Sequence, residues 1–157
     1  MTYPIIGKPA PDFKLLDQNG NFVTLKQFRG KSNVVIYFYP RAMTPGCTTQ
    51  ACGIRDFADE LAAIDTVVLG VSPDTPAKLL KFDAKYGLNF TLLSDENHAT
   101  AEAYGVWGLK KFMGKEYMGV NRTSFIVDNA GQLRYIFEKV NTKTHNLDTI
   151  NYIKDNI

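Results

Sequence analysis

The chain has 157 residues, 45% of them hydrophobic and 22% charged, and its formal net charge is +2. This length is sufficient for a domain with a substantial core, and the composition is that of an ordinary globular protein rather than a disordered one. The near-neutral charge gives no indication of nucleic acid or a membrane surface as a partner, so we expect a single domain over residues 1–157.

The first half of the sequence predicts a buried strand that leads into a helix. Two short strands are expected first, at residues 12–16 and 22–25, around a Gln-Asn-Gly turn. Residues 33–39, NVVIYFY, form a β-branched and aromatic run that is typical of a strand buried on both faces. Pro40 ends this strand, and after an irregular segment a helical pattern runs from residue 47 to about residue 64.

The second half alternates strands with helices and ends in a hairpin and a helix. Strands are predicted at residues 66–71 and 90–93, and the helix between them ends near Gly87. The remaining elements are a short helix at 97–104, a loop through Trp107, a hairpin of 123–127 with 133–137, and an amphipathic helix at 147–156.

This order of elements predicts an α/β fold in which helices flank a mixed central sheet. A thioredoxin-like fold with an N-terminal extension fits the order, although periodicity alone does not distinguish it from other small α/β folds. Three large aromatic residues, Tyr39, Phe82 and Trp107, are expected to pack in the core. No glycine-rich phosphate motif follows a strand, so we expect no nucleotide or other cofactor.

Cys47 and Cys52 are the two cysteines of the chain, and four residues separate them. No apolar run approaches the roughly 20 residues of a membrane span, and the N-terminal sequence does not resemble a secretory signal. We therefore expect a cytoplasmic protein, in which two cysteines are more often catalytic or metal-binding than a structural disulfide. A metal site is not expected, because His98 and His145 are distant in sequence and zinc requires four spaced ligands.

The position of Cys47 favours a nucleophile. It follows a buried strand, a proline-rich loop and Gly46, at the first turn of a predicted helix. Free amides and the positive end of the helix dipole stabilise a thiolate, which is the reactive form of cysteine. The alternative is a small buried hydrophobic residue, because helical spacing places Cys47 on one face with Ala51 and Ile54.

The position of Cys52 is harder to interpret. Five helical residues rotate it by about 140° from Cys47, towards Asp56 and Asp59, and separate the two Cα atoms by about 8.6 Å. Disulfides rarely tolerate more than about 7 Å, so the two sulfurs cannot bond while the helix is intact. Either they never pair or the first turn unwinds. Cys52 is thus a spare surface thiol or a resolving thiol.

Pro40, Thr44 and Cys47 match the P-x-x-x-T-x-x-C pattern of the peroxiredoxins. The stretch FYPRAMTPGCTTQACGIRD resembles the bacterioferritin comigratory protein, or peroxiredoxin Q, subfamily. The resemblance covers nearly the whole chain, through GKPAPDFKLLDQNG, LGVSPDTP, NFTLLSDENH, YGVWGLKKFMGKEYMG and RTSFIVDNAG. Gln50 departs from the subfamily, many of whose members have Glu there, and Arg-Ala-Met at residues 41–43 replaces the commoner Lys-Asp-Asp.

The resemblance implies a thiol peroxidase acting on hydrogen peroxide and organic hydroperoxides. It makes Cys47 the peroxidatic cysteine, which becomes a sulfenic acid, and Cys52 the resolving cysteine of an intramolecular disulfide. Thr44 would hydrogen-bond to the sulfur or the peroxide, and Pro40 would shield the sulfur from water. Arg122 would favour the thiolate and stabilise charge on the leaving oxygen, whereas without the resemblance it would be interpreted as a solvated charge at a strand edge.

The resemblance also implies thioredoxin as the reductant, with glutaredoxin as a second candidate, and it favours a monomer.

Two other functions remain to be separated from this one. A thioredoxin-type disulfide reductase would place its cysteines at C-x-x-C, so the longer spacing of Cys47 and Cys52 argues against it. A non-catalytic binding or chaperone module on the same fold would require Cys47 to be unreactive.

Overall fold

The computed structural model describes residues 2–157, along which nine strands and five α-helices follow one another. The strands are β1 (Lys14–Asp17), β2 (Phe22–Thr24), β3 (Asn33–Phe38), β4 (Thr66–Ser72), β5 (Thr91–Ser94), β6 (Trp107–Phe112), β7 (Lys115–Val120), β8 (Thr123–Val127) and β9 (Leu133–Phe137). The helices are α1 (Pro45–Asp56), α2 (Ala58–Ala63), α3 (Pro76–Tyr86), α4 (Ala99–Ala103) and α5 (His145–Asn156).

A seven-stranded mixed sheet has the spatial order β2-β1-β5-β4-β3-β8-β9. Strand β3 pairs in parallel with β4 and antiparallel with β8, and β4 pairs in parallel with β5. All six residues of β3 are buried, as its apolar run predicts. The register places Phe38, at the end of β3, beside Thr123, at the start of β8. The segment that leaves β3 and the segment that enters β8 therefore lie next to each other at this end of the two strands.

Side chains of β3 alternate between two hydrophobic clusters, one on each face of the sheet. Val34, Ile36 and Phe38 pack with residues of α4 and of the N-terminal segment. Val35 and Tyr37 lie on the other face, where the apolar sides of α1, α2, α3 and α5 cover the sheet. Helices thus flank the mixed sheet on both sides, which confirms the predicted thioredoxin-like α/β fold. No helix within residues 2–157 is both long and apolar enough to cross a membrane.

The cysteine-bearing helix differs from its predicted bounds at both ends. It begins at Pro45 rather than at residue 47, because the fixed φ of proline suits the first helical position. The predicted continuation to residue 64 is wrong, because Phe57 leaves helical geometry, with φ −110° and ψ 18°, and separates α1 from α2. The first-turn position predicted for Cys47 is confirmed, since it is the third residue of α1.

The predicted loop through Trp107 is wrong, because this segment is a second antiparallel hairpin formed by β6 and β7. Its two-residue connection, Met113-Gly114, has positive φ at both positions, as a tight hairpin turn requires. Trp107 itself is half-buried and stacks on His98, with 3.9 Å between ring centroids, whereas Tyr39 and Phe82 are fully buried as predicted. The predicted hairpin at 123–127 and 133–137 is confirmed, and α5 begins two residues earlier than predicted.

Candidate active site

Cys47 lies in the first turn of α1 and is 1% exposed. Thr44 is the N-cap residue and has an extended backbone, with ψ 154°, and the Thr48 amide closes the first turn on the Thr44 carbonyl at 2.9 Å. The helix begins here because Pro45 is preorganised for the first position and has no amide hydrogen to leave unpaired. The sulfur of Cys47, which is a free thiol, is thus held near the positive end of the helix dipole, which favours its anionic form.

Arg122 makes the most direct contact with this sulfur. Its Nη2 donates to Cys47 Sγ at 3.1 Å, and its Nη1 donates to Gln50 Oε1 at 2.6 Å. Arg122 immediately precedes β8, and the loop that leads to α1 follows β3. Because β3 pairs with β8, Arg122 and Cys47 come together although 75 positions of sequence separate them. A guanidinium at this distance stabilises a thiolate and any negative charge that develops beside it.

A second group of polar side chains continues from Arg122 into the protein interior. Gln50 lies one turn after Cys47 and is 1% exposed, and its Nε2 lies 3.3 Å from His145 Nδ1. His145 Nε2 lies 2.7 Å from Ser124 Oγ. Burial, together with the nearby charge of Arg122, lowers the pKa of His145 to about 4. The imidazole is therefore neutral at physiological pH.

Thr44, the N-cap of α1, and Pro40, which follows β3 by two residues, are more exposed than Cys47. Both are half-buried, and both border a groove of about 350 Å³ that is also lined by Trp107, Lys110 and Met118. The Thr44 hydroxyl donates to the backbone oxygen of Arg41 at 2.8 Å. Its oxygen lone pairs therefore make it an acceptor for any group that approaches from the groove.

Cys52 lies on α1 as a free, half-buried thiol. It packs against the hydrophobic cluster beneath the helix, whereas the helical rotation predicts a position on the polar side near Asp56 and Asp59. The next residue, Gly53, accepts a hydrogen bond from Asn146 Nδ2 on α5 at 3.0 Å through its carbonyl oxygen. Cys47 and Cys52 share one intact helix, so they lie apart on it by about 8.6 Å between Cα atoms.

Four residues of this region are not predicted as site residues from the sequence. Lys110 lies on β6 and donates to the Val120 carbonyl at 2.9 Å; burial, together with the charge of Arg122, lowers its pKa below the ordinary value. His145 and Ser124 come from α5 and β8, and no motif links them to Cys47. Gln50 is noticed in the sequence only as a departure from the commoner Glu.

Comparisons with known proteins identify the family of the chain. Residues 6–136 match the model of the AhpC/TSA family. The chain is 53% identical over 149 residues to a putative peroxiredoxin Bcp of Haemophilus influenzae, covering 95% of this chain and 96% of the relative. It is 50% identical over 149 residues to peroxiredoxin Bcp of Escherichia coli K12, covering 95% of both chains.

The chain belongs to the AhpC/TSA family of peroxiredoxins.

Solved structures place it within the same part of the family. Peroxiredoxin Q of Xanthomonas campestris superposes with a TM-score of 0.89 at 30% identity, covering 96% of this chain and 98% of that one. A second structure, of the bacterioferritin comigratory protein of X. campestris, concerns the alkyl peroxide reduction activity of that protein and superposes equally well. Peroxidoxin BcpB of Mycobacterium tuberculosis gives a TM-score of 0.85 at 32% identity, covering 97% of both chains. As a peroxiredoxin of the Bcp and peroxiredoxin Q type, this protein is a thiol peroxidase.

Proposed function

We propose that this peroxiredoxin reduces hydrogen peroxide and organic hydroperoxides through Cys47, resolves the product with Cys52 of the same chain, and is recycled by thioredoxin. The observation that carries the proposal is the 3.1 Å contact between Arg122 Nη2 and Cys47 Sγ at the first turn of α1. A buried thiolate needs a fixed positive partner, and a leaving alkoxide needs the same charge in the transition state.

In the first step the Cys47 thiolate attacks one oxygen of the O–O bond. A sulfur–oxygen bond forms as the O–O bond breaks, the electron pair of that bond leaves with the other oxygen, and a proton from the medium converts the leaving group to water or an alcohol. Thr44, whose hydroxyl hydrogen is directed to the Arg41 carbonyl, accepts a hydrogen bond from the peroxide O–H. Arg122 stabilises the leaving oxygen, and Pro40 limits the access of water to the sulfur.

In the second step Cys52 attacks the sulfur of the Cys47 sulfenic acid. A sulfur–sulfur bond forms, the sulfur–oxygen bond breaks, and the hydroxyl group leaves as water with a proton. The first turns of α1 must open, because about 8.6 Å between the Cα atoms exceeds the reach of a disulfide. Thr48, Thr49 and Gly53 have low helix propensity, which reduces the free-energy cost of this opening.

In the third step a dithiol reductant donates two electrons and two protons, restores both thiols and leaves as its own disulfide. Thioredoxin is the proposed reductant and glutaredoxin the second candidate. A resolving cysteine in the same chain removes the need for a partner subunit, which supports a monomer. The relatedness to the X. campestris protein with alkyl peroxide reduction activity supports organic hydroperoxides as substrates.

Stopped-flow peroxide consumption by the reduced protein, with and without thioredoxin and its reductase, tests the proposal. Cys47→Ser is expected to abolish both the single turnover and the steady state, because an alcohol does not ionise near neutral pH. Cys52→Ser is the matched control: it should retain one rapid turnover and form a stable sulfenic acid, but lose turnover with thioredoxin. Appreciable thioredoxin-linked turnover by a folded Cys47→Ser protein would refute the assignment.

A further inference from the structure

The polar side chains behind Arg122 form a continuous row from the reactive sulfur to Ser124, near the start of β8. The row runs from Cys47 Sγ through Arg122, Gln50 and His145 to Ser124 Oγ, with successive contacts of 3.1, 2.6, 3.3 and 2.7 Å. Gln50, His145 and Ser124 are each at most 2% exposed. Because buried polar groups need partners, each of these contacts constrains the next one.

The hydrogen-bonding capacity of each group fixes the direction of every bond in the row. A guanidinium only donates, so Gln50 must present its oxygen to Arg122 and therefore its NH₂ group to His145. An NH₂ group also only donates, so Nδ1 of His145 must be unprotonated. In a neutral imidazole the single proton is then on Nε2, which donates to Ser124 Oγ.

The surroundings of His145 keep it in this neutral form. The charged group that acts on it is Arg122, which disfavours a second positive charge. From β3 the ring of Tyr37 faces it, with 5.5 Å between ring centroids, and burial raises the pKa of Tyr37 well above its ordinary value, so that phenol is uncharged. Gln50 on α1 and Ser124 on β8 are neutral hydrogen-bonding partners.

We propose that His145 is a positioning residue for the peroxidatic cysteine: by accepting from the Gln50 amide, it directs the amide oxygen at Arg122 and so holds the guanidinium against Cys47. The inference deepens the proposed function and rests on it. Without the acceptor at Nδ1, the Gln50 amide can rotate and turn its NH₂ group towards Arg122. Two donors then face each other, and the guanidinium moves away from the sulfur.

The pH dependence of Cys47 alkylation by iodoacetamide tests this inference without any peroxide. The assay is made on Cys52→Ser protein so that a single thiol reacts. Adding His145→Leu should shift the alkylation midpoint to higher pH and slow the peroxide step by about two- to tenfold, the effect of losing one neutral hydrogen bond. Adding His145→Asn instead places an amide oxygen near the position of Nδ1 and should restore most of both losses.

Thr149→Val is the matched control on the same helix. It removes the hydrogen bond from Thr149 Oγ1 to the His145 backbone oxygen, 2.9 Å long, and leaves the imidazole row intact. We expect it to leave the alkylation profile unchanged. An unchanged profile for a folded His145→Leu protein would overturn the inference. An equal shift in Thr149→Val would also overturn it, since the effect would then come from the packing of α5.

A second measurement applies even if His145→Leu does not fold. Nitrogen-15 NMR of the wild-type His145 imidazole should show a neutral ring with its proton on Nε2. Gln50→Glu should raise the pH at which this ring takes up a second proton, because a carboxylate oxygen would then face Nδ1. A proton on Nδ1 in the wild type, or an unchanged titration in Gln50→Glu, would contradict the inference. Failure of the wild type to consume peroxide would instead refute the proposed function, and the alkylation and NMR results would still decide the role of His145.

Discussion

His145 should make folding of this chain less favourable as the pH falls from neutrality. In the folded protein its pKa is lowered from the ordinary 6.5 to about 4 by burial and by the charge of Arg122. Above about pH 6.5 both the folded and the unfolded chain carry a neutral imidazole, and His145 contributes nothing to the pH dependence. Between about 6.5 and 4 the unfolded chain binds a proton that the folded chain does not, so stability falls.

The size of this loss follows from the two pKa values. Their difference of about 2.5 corresponds to about 3 kcal/mol of unfolding free energy, reached in full below pH of about 4. This is a large fraction of the roughly 5–15 kcal/mol that stabilises a typical domain. This free energy needs little reduction for solvent screening, because His145 is only 2% exposed.

Urea unfolding of the wild type and of His145→Asn at several pH values between about 7.5 and 4 measures it. The other titrating groups are common to both proteins and cancel in the difference. Far-UV circular dichroism is the suitable probe, because Trp107 stacks on His98 and its fluorescence would respond to that second histidine. We expect the stability of the wild type relative to the variant to decline steadily below pH of about 6.5. A pH-independent difference would refute the reasoning.

Three further predictions concern catalysis, the helix and the core. Arg122→Ala should slow the peroxide step roughly ten- to a hundredfold in stopped-flow assays, and Arg122→Lys should recover only part of this because it lacks the planar fork; an unchanged rate constant would mean that Arg122 is structural. One equivalent of peroxide should produce a Cys47–Cys52 disulfide by mass spectrometry and faster amide exchange across residues 47–53, so a disulfide with unchanged amide protection would contradict the opening of α1. Gly70→Ala should destabilise the protein by about 1–3 kcal/mol in urea unfolding, because the added Cβ would lie 2.9 Å from the ring of Tyr37; a wild-type midpoint would show that the ring moves freely.

Much of the fold can be predicted from the sequence because its strands carry strong local signals. The buried run of β3 and the Asp-Asn-Ala-Gly turn between β8 and β9 are sufficient to locate those strands. The β6–β7 hairpin is not predicted, because most of its residues are exposed and both of its faces mix apolar residues with lysines, as at Leu109, Lys111 and Phe112. Without a buried face, no alternation of polarity is required.

The residues of the candidate site also differ in whether neighbouring sequence is enough to predict their role. The position of Cys47 after a proline-rich loop indicates a reactive thiol from local sequence alone. The pairing of Arg122 with it spans 75 positions and follows from resemblance to a family rather than from any periodicity. His145 is 95 positions from Gln50 and lies outside the predicted helix at 147–156, so the row of side chains behind Arg122 becomes apparent only in three dimensions.

If α1 opens in each catalytic cycle as proposed, the interruption of the helix at Phe57 has a kinetic consequence. Phe57 breaks helical geometry, yet its amide bonds back to the Ile54 carbonyl and its carbonyl accepts from Leu61, which is itself buried beneath the sheet. If α1 opens across residues 47–53 as proposed, residues 54–56 stay joined to Phe57 and α2, which gives an anchored end from which the helix can rewind. Rewinding from that end is elongation, at about nanoseconds per residue, and avoids the unfavourable nucleation of a new helix. In the proposed cycle, the return of Cys47 to Arg122 after each reduction is therefore not expected to limit turnover.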